Sequence, residues 1–381
     1  METTTYKISD IGEVVGGGTP STANSDFWGG DIPWISPKDL TGYKSVYISH
    51  GESFLTKTGL KSGTKLLPKG TVLFSSRAPI GYVAIASNPI CTNQGFKSII
   101  CNKEIINPLF LYYYIKGNLD YIKLFGTGAT FPEISGAAMR KIKVQIPTLP
   151  TQQKIASILS SYDRLIENNT RRIRLLEQMA ENLYKEWFVR FRFPEHENVE
   201  MVNGLPKGWK IKKLGEYANI STGKCNREDA EEDGIYPLFD RSQEIKKSSK
   251  WIKDCEAIIV PGEGTSFMPR YYKGKFNLHQ RCYCIEPTIK DIGFYLFYSI
   301  MLNRKYFLSV ATGATVPSLR QNNFTKMKLI IAELELVKKY NKIASTIALQ
   351  IDRLKEQNTL LTRQRDLLLP RLMSGKLEVK S

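Results

Sequence analysis

The sequence predicts an α+β protein: two tandem-repeated mixed α/β domains and two long helices forming an antiparallel coiled coil, with pseudo-two-fold symmetry. Three observations carry that prediction. Short segments recur in the same order in both halves, two stretches carry heptad seams, and the remaining sequence consists of short apolar runs punctuated by Gly and Pro. The expected boundaries are 1–147 for the first domain, 148–193 for the first helix, 194–332 for the second domain, and 333–381 for the second helix and tail.

The repeat has four parts. Tyr6-Lys7-Ile8-Ser9-Asp10-Ile11-Gly12-Glu13 returns as Trp209-Lys210-Ile211-Lys212-Lys213-Leu214-Gly215-Glu216. Thr127-Gly128-Ala129-Thr130-Phe131-Pro132 returns as Thr312-Gly313-Ala314-Thr315-Val316-Pro317. Lys154-Ile155-Ala156-Ser157 returns as Lys342-Ile343-Ala344-Ser345, and Asp163-Arg164-Leu165 as Asp352-Arg353-Leu354. Four matches in one order are not chance, so the chain is two copies of a globular domain followed by a helix.

Within the first domain, 71–74, 82–86 and 98–101 read as strands, and 108–115 as a short helix. In the second, 257–260 and 282–285 read as strands and 292–299 as a helix.

The first long helix starts near Thr151, after Pro147 and Pro150, and ends before Pro194. Its seam runs Ile155, Leu159, Tyr162, Ile166, Asn169, Ile173, Leu176, Ala180, Leu183 and Trp187, with steps alternating between four and three. The second runs Ile347, Ile351, Leu354, Asn358, Leu361, Arg365, Leu368 and Leu372, and ends near Ser374-Gly375. About 42 residues would span roughly 60 Å. Each seam contains one Asn. Asn169 falls at a d position and Asn358 at an a position, so an antiparallel pair would let them meet and fix the register; the alternative is that each is solvated.

Composition narrows the function classes. The chain has 381 residues with 54 Lys and Arg against 37 Asp and Glu, a net charge of +17. The excess is spread as +5, +3, +5 and +4 over the four segments in order. A polyanionic partner fits this balance, and two equally basic domains suit a two-footed contact with nucleic acid; plain solubility is the competing reading. No apolar run is long enough for a membrane-spanning helix, and no secretory signal follows Met1. The cysteines at 91, 101, 225, 255, 282 and 284 include no C-x-x-C pair. With only three histidines, no zinc site is expected, and reduced thiols in a cytoplasmic protein are.

Gly16-Gly17-Gly18-Thr19-Pro20-Ser21 and Phe27-Trp28-Gly29-Gly30-Asp31-Ile32-Pro33-Trp34-Ile35-Ser36-Pro37-Lys38-Asp39-Leu40 resemble the opening of a specificity subunit of a type I restriction-modification system. Phe74-Ser75-Ser76-Arg77-Ala78-Pro79-Ile80-Gly81-Tyr82 and Thr92-Asn93-Gln94-Gly95-Phe96 are similar to segments of the same target-recognition domain. Glu186-Trp187-Phe188-Val189-Arg190-Phe191 and Leu369-Pro370-Arg371-Leu372-Met373-Ser374-Gly375 resemble the family's helix endings. The resemblance covers essentially the whole chain. The second domain departs from it: Pro261-Gly262-Glu263-Gly264-Thr265 stands where the first has Ser75-Ser76-Arg77.

The resemblance implies a non-catalytic subunit that selects a site on double-stranded DNA. It would read two different half-sites separated by a fixed gap and dock two methyltransferase subunits. Motor-nuclease subunits would join through that core. S-adenosylmethionine, ATP and magnesium would belong to the partner subunits, with no cofactor in this chain and no membrane involved. The coil would act as a spacer, so one helical turn, about 5.4 Å, would alter the gap by about 1–2 base pairs.

In the first domain the candidate DNA-binding residues are Ser36, Lys38, Ser75, Arg77, Tyr82, Asn93, Gln94 and Lys97. Asn or Gln can bind adenine bidentately and Arg guanine, while Lys and hydroxyls grip phosphates. Asn93-Gln94-Gly95 reads equally as a turn. In the second domain the candidates are Arg241, Gln243, Arg270, Tyr271, Lys273, His279, Gln280 and Arg281. The stretch from Arg270 to Lys275 interleaves cations with aromatics, as a backbone-gripping loop or a solvated hairpin would. Thr127 and Thr130, with Thr312 and Thr315, lie in repeated loops that fit either phosphate contact or a structural turn. Trp187 and Phe188 are candidates for partner docking, with core packing as the alternative.

Two rival readings have weaker support. A DNA adenine methyltransferase would need Phe125-Gly126-Thr127-Gly128 as a cofactor loop and Asp31-Ile32-Pro33-Trp34 as its catalytic tetrapeptide. The first lacks the strand-turn-helix context and the second lacks a proline. A non-specific basic coiled-coil scaffold predicts no preference among DNA sequences.

Overall fold

The computed structural model describes residues 2–379 apart from 129, 131 and 314. The chain forms two compact units, residues 1–171 with 355–381 and residues 172–354. Each contains a globular α/β body, the start of one long helix and the end of the other.

In unit 1, Thr4–Lys7 pairs antiparallel with Lys143–Ile146, tying the start of the body to its end just before the helix. The main sheet has the order Gly12–Gly16, Lys97–Cys101, Val72–Phe74, Val83–Ala86, Tyr47–Ile48. The last pair is parallel and the others antiparallel. A three-stranded sheet centred on Trp28–Ile35 packs Trp34, Leu55 and Cys91 into its own small core. Helix Pro108–Gly117 is capped by Asn107, whose Oδ1 accepts from the backbone of Leu109 and Phe110. It buries Phe110, Leu111 and Tyr113 against the main sheet and against Ile155, Leu159 and Leu372 of the long helices.

Unit 2 repeats this plan. Lys210–Lys213 pairs with Lys328–Ile331. The main sheet runs Ala218–Thr222, Cys282–Pro287, Lys253–Pro261, Arg270–Leu278, Tyr236–Phe239, again with a parallel last pair. An extra strand, Lys246–Ser248, extends that edge. The expected strands and short helices therefore form with shifted bounds: 71–74 and 82–86 shorten to Val72–Phe74 and Val83–Ala86, while the run read at 257–260 is the nine-residue strand Lys253–Pro261.

The long helices are Leu149–Tyr184 and Leu334–Met373. The first closes in a π turn over Lys185–Val189, with Arg190 N donating to Lys185 O at 2.8 Å. The second stops at Gly375, whose φ of +70° suits glycine. In unit 1 the two run antiparallel, since Asn169 meets Asn358 while the earlier Asp163 meets the later Arg365. Asn169 is buried, and its Nδ2 donates to Asn358 Oδ1 and Gln357 Oε1, both at 3.0 Å. The charged seam residue Arg365 is partnered by Asp163, which also accepts from Tyr113 OH. A cation in an apolar seam is tolerated only with such a counter-charge.

Candidate nucleic-acid interface

In unit 1, strand Val72–Phe74 leads into the loop 75–82, and strand Lys97–Cys101 is entered through the turn 93–96. Ser76 N donates to Gly95 O at 2.7 Å, and Ile134 N donates to Ser76 O at 3.0 Å. Thr127 and Glu133 exchange backbone hydrogen bonds at 3.0 and 2.9 Å, closing the repeated Thr-Gly-Ala-Thr loop. Three chain segments are thus locked side by side.

Unit 2 builds the same frame. Gly262 N donates to Arg281 O at 2.7 Å, and Leu319 N to Gly262 O at 2.8 Å. Thr312 and Ser318 exchange hydrogen bonds at 2.9 and 2.7 Å. Position by position, Arg77 corresponds to Glu263, Gly95 to Arg281, and Glu133 to Ser318. Gly128 and Gly313, with φ of +113° and +117°, make the same turn in both copies. Ala129, Phe131 and Ala314 of these repeated segments lie outside the described residues.

A glycine floors each frame. A Cβ on Gly17 would lie 2.0 Å from Asn93 O, and one on Gly223 would lie 1.8 Å from Leu278 O. Gly17 N donates to Phe96 O and Gly223 N to Cys282 O, at corresponding places. Only a residue without a side chain lets the strands approach this closely.

The sequence candidates distribute unevenly over this geometry. Arg77 is half-exposed and pairs with Glu133 at 3.4 Å, and Lys97 reaches the same carboxylate at 3.1 Å. Gln94 is exposed and hydrogen-bonded to Thr19. Asn93 forms the turn, its Oδ1 accepting from Gly95 N at 2.8 Å. Thr127, Thr130, Thr312 and Thr315 are exposed. Lys38 is exposed and paired with Glu52, while Ser36 is bound to Asp39 as a helix cap. Tyr82 is half-buried beside the loop's start, its N donating to Ser75 Oγ.

In unit 2, Arg241 and Arg281 are exposed and share Glu263, at 2.6 and 3.4 Å. Gln280 is exposed and donates to Asn226 Oδ1 at 2.6 Å. Gln243 and Lys273 are exposed.

Six of the candidate side chains, Ser75, Arg270, Tyr271, His279, Trp187 and Phe188, are turned into their own unit. Ser75 is fully buried; its Oγ donates to Pro79 O at 2.7 Å and accepts from Tyr82 N, so its hydroxyl is spent on shaping the loop. Arg270 to Lys275 is not a loop but part of strand Arg270–Leu278, which pairs antiparallel with Lys253–Pro261 as an arm of a hairpin, with Lys273 and Lys275 exposed. Arg270 turns inward, donating to Asp240 O at 2.6 Å over the Phe239 ring, and burial lowers its pKa. Tyr271 stacks on Phe294 at 3.9 Å and donates to Glu256. His279 is buried; burial, then the nearby Arg241, lowers its pKa, and its Nδ1 accepts from Arg281 N at 3.0 Å, as a neutral ring can. Trp187 and Phe188 are buried against Tyr340, so their rings pack into unit 2's core, as the core-packing alternative has it.

The sequence reading missed Glu133, Glu263 and Gly223. One signal was available: Glu133 directly follows the repeated segment ending in Pro132, where the second copy has Ser318. The missing carboxylate there should have prompted a search for one elsewhere.

Asp240 anchors the edge of the second frame. Burial raises its pKa, but hydrogen bonds from Lys246 and Ser242 outweigh that and hold it at about 2. Among the described residues no helix is long and apolar enough to cross a membrane.

Comparison with known proteins agrees with the repeated architecture. The family described as type I restriction modification DNA specificity domain matches residues 1–178 and again 206–363. The type I restriction enzyme MjaIX specificity subunit of Methanocaldococcus jannaschii is 35% identical, over 98% of this chain and 93% of the relative. The HindI specificity subunit of Haemophilus influenzae is 25% identical, over 82% of this chain and 88% of the relative. Among solved structures, the S subunit of a type I restriction-modification system from M. genitalium shares the fold with a TM-score of 0.66 at 18% identity, covering 100% of this chain and 97% of that one. Two family matches, one on each structural repeat, and a relative similar along nearly the whole length lead to one conclusion: the chain belongs to the type I restriction-modification specificity subunits, the non-catalytic subunits that recognise DNA sequence.

Proposed function

We propose that each unit reads one half of a bipartite, asymmetric site on double-stranded DNA, through the loop frame at its main sheet. The observation that carries this reading is the shared frame itself: the backbone hydrogen bonds match between units, while the exposed side chains on it differ. Such a platform suits two readers of two different sequences. Half-exposed Arg77 and exposed Gln94 in unit 1, with exposed Arg241, Gln243, Gln280 and Arg281 in unit 2, are able to meet base edges, each good bidentate contact being worth about 1–3 kcal/mol of discrimination. Lys38, Lys273 and the threonines at 127, 130, 312 and 315 would serve the phosphates. The paired asparagines at 169 and 358 would fix the register of the coil, and its length the gap between half-sites.

Two methyltransferase subunits would dock on this chain, with motor-nuclease subunits joining through that core. S-adenosylmethionine, ATP and magnesium would be held by those partners. Mapping of methylated adenines in DNA exposed to this chain and its methyltransferase partner tests the proposal. The expected result is one motif of two unlike halves with a constant spacer. A single uninterrupted motif, or two identical halves, would refute it.

A further inference from the structure

The two frames solve one electrostatic problem from opposite sides. In unit 1 the cation Arg77 sits on the 75–77 segment, and the carboxylate Glu133 sits on the segment bonded to it. In unit 2 the carboxylate Glu263 occupies Arg77's place, and Ser318 occupies that of Glu133. The carboxylate has crossed the bridge, yet in both units it ends between two cations drawn from different segments. These are Arg77 and Lys97 in the first, Arg241 and Arg281 in the second. In unit 2 the carboxylate also lies deeper than its partners: the Glu263 side chain is 15% exposed, against 49% and 53% for the arginines.

A surface arginine or lysine without such a partner binds any phosphate, and non-specific affinity comes from that contact. A carboxylate held between two cations offers them an acceptor that a phosphate must displace. It does not consume the arginine, which has five donors in a fixed fork. With one edge held by the glutamate, the other edge stays aimed and free for the O6 and N7 of a guanine.

We propose that Glu133 and Glu263 are positioning residues for sequence reading. Each restrains its pair of cations from capture by the DNA backbone and presents them in one orientation, so it lowers non-specific affinity and sharpens recognition by its own unit. This inference rests on the half-site reading above.

The test uses the full chain with its methyltransferase partner and two probes, a duplex carrying the mapped site and a random-sequence duplex. Binding is measured across a salt series for the parent, Glu133→Gln, Glu263→Gln, and the double variant Glu263→Gln/Ser318→Glu. Each Glu→Gln change should tighten binding to the random duplex about tenfold at low salt. It should also steepen the dependence of log K on log salt by about 0.9 for each phosphate newly gripped. Preference for the site should fall, with Glu133→Gln tolerating changes only in the first unit's half and Glu263→Gln only in the second's. The double variant returns a carboxylate to the place Glu133 holds in unit 1, and should restore the parental slope. An unchanged slope in both single variants would overturn the proposal, as would a steeper slope that the double variant fails to reverse. A parent without preference between the two duplexes would instead overturn the half-site reading, and the inference with it.

Discussion

The two units share a sheet order and a loop frame but differ in what the long helices bring to them. The end of the first helix gives unit 2 an aromatic core: Tyr184, Trp187 and Phe188 pack on Tyr295, Tyr340 and Trp209. The end of the second gives unit 1 an aliphatic contact through Leu368, Leu369, Leu372 and Met373. Likewise one frame draws its carboxylate from the segment after the repeated loop, and the other from the strand end facing it. The difference teaches that backbone pairing holds the repeat together while core and surface side chains are exchanged around it. What both copies keep is the closing of the Thr-Gly-Ala-Thr loop and the glycine floor.

The largest expected effect breaks the comparison at the helix ends. Phe188→Ala empties a fully enclosed ring site and should cost unit 2 about 3–5 kcal/mol. Hydrogen exchange resolved by peptide should then show faster exchange in 172–354 and little change in the other unit. Equal loosening of both would mean that the cores are not separate. Next, Gly17→Ala and Gly223→Ala should each cost about 1–3 kcal/mol, because a Cβ meets a carbonyl oxygen that cannot yield without parting two strands. Similar losses, read by urea unfolding, would sharpen the claim that the two floors are equivalent; a neutral change at one would break it.

A smaller effect separates the units by pH. The Asp240 carboxyl is held at about 2, below its ordinary value of 3.8, by Lys246 and Ser242. A depressed carboxyl contributes stability that is present above its unfolded value and is lost as pH falls through the folded one. Unit 2 should therefore weaken between about pH 4 and 2, and Asp240→Asn should remove that dependence while lowering stability at neutral pH. Acid titration followed by near-ultraviolet circular dichroism of the two proteins checks this.

Much of the fold was legible because periodicity and repetition are properties of the chain itself. The heptad steps located both helices, and every seam position named in the sequence is buried or half-buried. The asparagines' meeting could be anticipated because a and d positions face one another in antiparallel pairs. The site was less legible, since burial of a polar residue depends on what folds over it. Ser75, Arg270 and His279 look like DNA contacts in a list of polar residues, yet each is turned into its own unit. Glu133 and Glu263 were hard to match as counterparts because one replaces the other across a hydrogen-bonded bridge, and the repeat alone shows only that Ser318 stands where the first copy has Glu133.

The central claim is that each frame reads its own half-site. It is tested most directly by replacing Arg77 and Arg281 with alanine, one at a time, and mapping adenine methylation by the chain with its methyltransferase partner. Arg77→Ala should relax the motif in one half only, and Arg281→Ala in the other half only. Equal degradation of both halves by either variant would contradict the account.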